Sequence, residues 1–509
     1  MNRSRTDWAW KCDHSVSDKA RKNASQLANS DVGTSSNGRQ SHSDLKAPRL
    51  RPSTTAPTPA ELENFILTNK ITYEPIGILT ELPPILAFDC VRVTSPLEKA
   101  FLKFQKPSPI QSAVWPVLMA KRDVVGIAET GSGKTLAFGI PAFEHILSTS
   151  GLQKGPPVIS VLVIAPTREL AMQTESTLSE LGQLMTPPIQ TLCVYGGVDK
   201  NTQRKALRPE AGVRVVAGTP GRLLDLANEG HLKLNNVSWL VLDEADRMLD
   251  KGFENDIRAI INLCRPSKAE AGNPTRLTAM FSATWPLSVR RLASDFMHNP
   301  VRILVGDDQL SASGSVEQTV EVLKETRGKE FKLLSTLTHL GQSKTFNLAK
   351  DKIIVFALYK KEAQRLHQFL LRKGFSACCI EGDMSQDKRT KSLEDFKSGE
   401  ATILVATDVA ARGLDIPKVE VVINVTFPLT IEDYIHRIGR TGRAGRTGKS
   451  ITYFTDDDKV HAGELMRVLK DANQTVPEDL KQWGGQIKKK THAAYGDHWK
   501  DIDPTVKGK

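Results

Sequence analysis

Short, near-continuous apolar runs recur along this chain and alternate with longer stretches whose apolar positions return every three or four residues. The first set comprises Asp123 to Ala128, Val158 to Ala165, Val213 to Ala217 and Trp239 to Leu242. Runs of this length and β-branched content fit strands buried on both faces, and their alternation with helical patterns predicts βαβ units around a parallel sheet. After a polar stretch near 306–315 the alternation restarts, with Lys352 to Phe356, Thr402 to Ala406, Val419 to Val425 and Ser450 to Phe454 as strand candidates. The pattern predicts an α/β protein with two tandem parallel-sheet domains, 80–305 and 316–475. The polar stretch Gly341 to Asp351 reads as a surface loop within the second.

Outside these domains periodicity fades. Residues 1–75 carry Ser, Asn, Thr and Pro with scattered Lys and Arg and little periodic hydrophobicity, a composition that offers too little burial to offset chain entropy and predicts a disordered tail. Residues 476–509, with Lys488, Lys489 and Lys490, are expected to form a basic tail that either touches a polyanion or stays solvated.

Composition narrows the partners. The 509 residues are 39% hydrophobic and 25% charged, within the range of soluble globular proteins. A formal net charge of +11 and a pI near 9.2 favour polyanions where the charge clusters, although a solvated basic surface has the same composition. Cysteines at 12, 90, 193, 264, 378 and 379 show no metal-ligand spacing, which predicts a reducing compartment. No apolar run of membrane-spanning length and no secretory apolar segment occurs, so the expectation is an intracellular protein without a membrane partner.

The first candidate chemistry follows the strand that starts at Asp123. Ala128-Glu129-Thr130-Gly131-Ser132-Gly133-Lys134-Thr135 leads from that strand into an apolar-periodic helix, the context of a phosphate-binding loop. Glycines let successive N–H groups converge on phosphate oxygens, Lys134 pairs with β and γ phosphates, and the Thr135 hydroxyl is a Mg²⁺ ligand. The same string in isolation would also suit a plain glycine-rich turn. A second apolar strand, Trp239 to Leu242, ends in Asp243-Glu244-Ala245-Asp246 and places acids at the carboxyl edge of a parallel sheet, where ligands bind. Asp243 suits a Mg²⁺ carboxylate and Glu244 the group that orients and deprotonates an attacking water. Alone, these acids also suit a helix start, where the helix dipole favours negative charge.

With these motifs in place the chain resembles the DEAD-box family of ATP-dependent RNA helicases. Pro107-Ser108-Pro109-Ile110-Gln111 is similar to the family's adenine-reading motif. In that resemblance Gln111 binds the adenine edges, Phe104 stacks on it and Phe88 is the upstream aromatic, with Lys103 where the family usually has Gly. Pro166-Thr167-Arg168-Glu169-Leu170-Ala171, Gly196-Gly197, Thr219-Pro220-Gly221-Arg222, Ser282-Ala283-Thr284, Ala406-Thr407-Asp408 through Asp415, and His436 through Arg443 then follow in the family's order. The resemblance spans about residues 85–475 and implies two RecA-like domains that close over ATP, Mg²⁺ and a single strand of RNA.

The resemblance also implies residue roles. Arg440 and Arg443 act as fingers on the γ-phosphate, for which a planar guanidinium is well shaped, and Asp415 reaches the ribose of the nucleotide. Asp246, Ser282, Thr284 and His436 link hydrolysis to closure, although by spacing alone Ser282 and Thr284 are equally helix caps. Arg168, Gly197, Thr219 and Arg222 contact RNA from the first domain, and Arg389 and Thr407 from the second. Backbone, hydroxyl and guanidinium groups of this kind predict salt-sensitive, largely sequence-independent binding.

Gly126 to Gly131 and Lys488 to Gly496 are similar to strings in fungal nucleolar members of the family that act in large ribosomal subunit assembly. That similarity implies pre-ribosomal RNA as the partner, nucleus and nucleolus as the location, and a monomeric core. A helicase of mRNA or splicing, an ATP-dependent RNA clamp serving as a scaffold, and a DNA translocase carry compatible motifs and stay open at this stage.

Overall fold

The computed structural model describes residues 57–129, 131–148, 157–250, 252–267, 275–306, 315–325, 328–343, 346–408, 416, 418–442 and 446–484. The first domain holds strands β1 (Ile71–Glu74), β2 (Val124–Ile127), β3 (Val161–Ile164), β4 (Gln190–Val194), β5 (Val213–Gly218), β6 (Trp239–Leu242), β7 (Leu277–Ser282) and β8 (Val301–Val305). The second holds β9 (Val316–Val322), β10 (Lys352–Ala357), β11 (Ala377–Ile380), β12 (Ile403–Thr407), β13 (Val419–Asn424) and β14 (Gly448–Phe454).

Among the described residues the first sheet runs β1-β8-β2-β7-β6-β3-β5-β4 and the second β11-β12-β10-β13-β14-β9. Every pairing is parallel except that of β1 with β8. Period-two alternation sends neighbouring side chains to opposite faces. Val161 and Val163 therefore join the core under one face of the first sheet, and Leu162 and Ile164 the core under the other. In the second sheet Ile353 and Val355 face one core and Ile354 and Phe356 the other. Burial on both faces accounts for the near-continuous apolar runs in the sequence.

Two predicted boundaries move. The stretch assigned to the tail, 1–75, already contains the helix Pro59–Thr68 and strand β1. Thr58 caps that helix by accepting the Glu61 N–H. Ile71 and Tyr73 are buried where β1 covers the β8 edge, and Glu74 pairs with Arg302 at 2.8 Å. A four-residue strand with two buried side chains is too short to register as a periodic pattern.

At the other end the second domain continues past 475. Leu480, in the short helix Glu478–Lys481, is fully buried, and Trp483 lies 5.4 Å from Phe454 between ring centroids and donates to Asp456. These side chains close the core formed by Phe427, Tyr434, Phe454 and Leu469. The segment Gly341 to Asp351 is also less loop-like than expected. Gly341 lies in the last turn of the helix Lys329–Gln342, and Phe346 and Leu348 pack on the core around Leu337 and Ile353.

Leu480→Ala is expected to cost the second domain about 2–5 kcal/mol, because it empties a closed apolar site. Urea unfolding should show a lower midpoint for that domain, with Lys481→Ala, an exposed neighbour, leaving it unchanged.

Candidate nucleotide and RNA site

Parallel strands deliver their carboxyl ends to one edge of a sheet, and in the first domain that edge collects most of the residues singled out above. Strand β2 ends at Ile127, and the next N–H, that of Ala128, donates to the Ser282 carbonyl at the end of the neighbouring strand β7 at 3.1 Å. The backbone then turns through Gly131 and Gly133, at φ 82° and 92°, into the helix Lys134–Ser148. Left-handed backbone at both positions explains the glycines. At Gly133 a Cβ would also lie 2.7 Å from the Gln111 amide nitrogen. The free N–H groups of the helix start face the loop, which suits phosphate. Lys134 is buried, with Nζ donating to the Ala128 carbonyl at 3.0 Å, and Ser132 Oγ donates to the Glu129 carbonyl at 2.8 Å. Glu129 and Gly131 are exposed and Thr135 half-buried. Thr130 lies outside the described residues.

The helix Pro109–Met119 sets Gln111 against this loop. Its amide accepts from the Ser108 N–H and donates to the Gly133 carbonyl, both at 3.0 Å. One amide hydrogen and one lone pair remain for a base edge. Phe104 is half-exposed, as a stacking ring must be. Phe88 differs from its expected role. Its ring stacks on Phe101 at 4.7 Å and leans on Trp115, so it supports the wall of the site instead of presenting a face to a ligand.

Asp243, Glu244 and Asp246 are all buried at the end of β6. Burial pushes the Asp243 carboxyl up to about 7 against the lowering pull of Lys134. Its Oδ1 has no hydrogen-bond partner. A buried, unpartnered carboxylate oxygen beside a phosphate loop is chemistry that a divalent cation satisfies. Glu244 has φ 52°, a left-handed conformation that costs a non-glycine residue about 1–3 kcal/mol and that the surrounding fold must hold. Asp246 Oδ2 accepts from the Thr284 hydroxyl at 2.8 Å and its N–H at 3.0 Å, and the Asp246 N–H lies 3.4 Å from Ser282 Oγ. Three of the four residues of the coupling set, Asp246, Ser282 and Thr284, therefore form one buried cluster, joined to the phosphate loop by the Ala128 to Ser282 bond, whereas His436 stands apart on the second domain.

On the other side of the same edge, the Arg168 guanidinium lies over Gly197, at φ 85°, where a Cβ would come within 2.3 Å of it. Arg222 is turned inward. Its guanidinium donates to the Val198 carbonyl and to Gln203 at 3.3 Å, so it shapes the Gly196-Gly197 loop. Thr219 is half-buried, and its N–H donates to the Val194 carbonyl.

In the second domain Thr407 has a buried hydroxyl with no partner. Arg389, expected on RNA, is instead 7% exposed and paired with Glu169 of the first domain at 2.6 Å. It also donates to the Glu381 carbonyl. The pairing consumes the charge that an RNA contact would use. Arg440 is buried and His436 half-buried. Asp415 and Arg443 lie outside the described residues.

Three ion pairs went unread in the sequence. Glu169–Arg389 is one. Arg247, directly after Asp246, reaches Asp433 of the second domain at 2.7 Å, with side chains 3% and 12% exposed. Within the second domain Arg437 binds Asp408 through two nitrogens, each at 2.6 Å, and covers the Phe356 ring. Partners this far apart in the chain leave no local pattern. Only their membership in motifs, at Glu169, Asp408 and Arg437, could have drawn attention to them.

The family described as DEAD/DEAH box helicase matches residues 108–292, and the Helicase conserved C-terminal domain matches 329–445. The chain is 53% identical over 462 residues to the ATP-dependent RNA helicase DBP3 of Mycosarcoma maydis, covering 88% of this chain and 77% of that protein. To the Saccharomyces cerevisiae protein of the same name it is 50% identical over 453 residues, covering 88% and 82%. Among solved structures it is similar to S. cerevisiae Dbp5 bound to RNA and ADP BeF3, with 28% identity, TM-score 0.64, and coverage of 79% of this chain and 100% of that one. It is equally similar to Mss116p bound to ssRNA and AMP-PNP, with 28% identity, TM-score 0.64, and coverage of 77% and 79%.

Gly133→Ala should strain the left-handed turn and push the Gln111 amide off the Gly133 carbonyl. The expected result is a roughly 5- to 100-fold rise in nucleotide Kd, from about 1–3 kcal/mol of strain. Titration with a fluorescent ATP analogue checks it, and Gly221→Ala, where a Cβ meets nothing, is the control.

Proposed function

The chain belongs to the DEAD-box family of ATP-dependent RNA helicases, and on that premise we propose that it remodels pre-ribosomal RNA in large-subunit assembly, in the nucleolus. It is an ATP-hydrolysing enzyme of the RNA helicase class. The observation that carries the mechanism is the buried Glu244, held at positive φ beside the unpartnered Asp243 oxygen and one bond network away from the phosphate loop.

Nucleotide phosphates enter between the N–H groups at the start of Lys134–Ser148 and the Lys134 ammonium, with Gln111 and Phe104 on the adenine. Thr135 and Asp243 are the residues to hold Mg²⁺, which when bound neutralises charge on the β and γ oxygens. Glu244 aligns a water for in-line attack on the γ-phosphorus and accepts its proton, while Lys134 and Arg440 offset the charge that develops on the transferred group. The bond from water oxygen to phosphorus forms as that to the β-γ bridging oxygen breaks, leaving ADP and phosphate.

RNA lies along Arg168, Gly197 and Thr407, which offer guanidinium, backbone N–H and hydroxyl groups to phosphates and 2′-OH groups. ATP and RNA bind the closed arrangement better than the open one, so each raises the affinity of the other. A duplex strand drawn into the closed cleft separates locally from its partner, and hydrolysis removes the γ-phosphate that favoured closure. The ribosomal assignment rests on identity near 50% over most of the chain to relatives that share one name, together with the net charge of +11.

Glu244→Gln should bind ATP and RNA and lose at least roughly 100-fold in RNA-stimulated kcat, the range of a general-base contribution. Steady-state hydrolysis with and without single-stranded RNA tests this, and normal turnover by the variant would overturn the mechanism. Crosslinking in cells tests the substrate: recovery of mRNA or spliceosomal RNA in place of pre-ribosomal RNA would reject the assembly role.

A further inference from the structure

At the carboxyl edge of the second sheet three chain segments lie side by side. Ala357, the last residue of β10, pairs with Thr407 of β12, and Ile380 at the end of β11 pairs with Ala406. Just past those ends come Leu358 to Lys360, Glu381 to Asp383, and Asp408. The edge is polar and firmly held. Glu381 is buried and accepts from the Asp383 N–H at 2.7 Å and from Gln364 at 3.0 Å. Lys360 reaches across to Asp383 and lays its stem over Gly382, where a Cβ would come within 2.9 Å of it.

In this setting stands Tyr359, 65% exposed. A single exposed ring is ordinary on a protein surface. Two features separate this one. It occupies the N-cap of the helix Lys360–Arg372, where Ser, Thr, Asp or Asn is the usual residue, and Glu362 accepts the Leu358 N–H at 3.0 Å and the Tyr359 N–H at 3.5 Å. It is also followed directly by two exposed lysines, Lys360, whose ammonium pairs with Asp383, and Lys361. An aromatic face among lysines at the end of a strand matches single-stranded nucleic acid, in which lysines track phosphates and rings stack on bases.

We propose that Tyr359 is a stacking platform for one base of the bound RNA strand. The proposal rests on the reading that this edge faces RNA, and it adds a base contact to a grip otherwise made through the sugar-phosphate backbone. The ring holds one base out of register with its neighbours, which opposes re-pairing with the displaced strand. Stacking tolerates every base and favours purines, whose π-face is larger.

The test uses the full chain with a non-hydrolysable ATP analogue and a short single-stranded RNA carrying 2-aminopurine at successive positions. Wild type should quench the fluorescence strongly at one position, and Tyr359→Ala should abolish that quench and raise the RNA Kd roughly 5- to 100-fold. Tyr359→Phe, which keeps the ring, should restore both. An unchanged thermal unfolding midpoint in each variant shows that the fold is intact. If Tyr359→Ala binds and quenches as wild type does, the stacking role is overturned and the RNA reading stands. If wild type fails to bind the RNA with the analogue present, the reading of this edge falls as well.

Discussion

An arginine buried across a domain boundary is tolerable only where a carboxylate meets it, and two such pairs join the halves of this molecule. Arg389 meets Glu169 at 2.6 Å, and Arg247 meets Asp433 at 2.7 Å. Removing one partner from a buried pair costs about 3–5 kcal/mol, because the other charge is left without water or counter-ion. A half-closed arrangement faces the same penalty, so these pairs favour domains that are either together with both bonds made or apart with both charges hydrated. The positions of the pairs carry this into function. Glu169 follows Arg168 on the proposed RNA side, and Arg247 follows Asp246, whose carboxylate holds Thr284. Each proposed ligand site is thus one residue from a contact between the domains.

Within the first domain the same logic appears at short range. Ala128, Ser282, Thr284 and Asp246 are tied by backbone and side-chain hydrogen bonds, so a shift of the phosphate loop reaches the residue before Arg247 through buried, satisfied groups. Among the buried groups without a hydrogen-bond partner are two that a ligand can complete, the Asp243 oxygen on the nucleotide side and the Thr407 hydroxyl on the proposed RNA side. Glu244 is the strained member, held at φ 52° by a fold whose strands are buried on both faces.

Much of this was legible in the chain because it is contiguous. The phosphate loop and the acids after β6 are each a few residues long and follow apolar strands, so position and chemistry could be read together. The central strands showed themselves by continuous burial. Strand β1, with two buried side chains, and β4, with only Val194 buried, gave no comparable signal. Leu480 and Trp483 sit in a polar stretch and reveal their role only when the core they cover is known. The roles of Phe88, Arg222 and Arg389 shifted for a shared reason. Residue type announced what each side chain could bind, whereas its actual partner, Phe101, the Val198 carbonyl or Glu169, was set by packing between distant segments.

The central claim, that closure depends on buried charge pairing between the domains, is tested most directly by the distance between dyes placed on one exposed position of each domain. Energy transfer in wild type should rise only when the ATP analogue and single-stranded RNA are both present. Arg389→Ala should stay open under the same conditions, and exchanging the charges in Glu169→Arg with Arg389→Glu should recover part of the closed population. An Arg389→Ala protein that closes as readily as wild type would contradict the account.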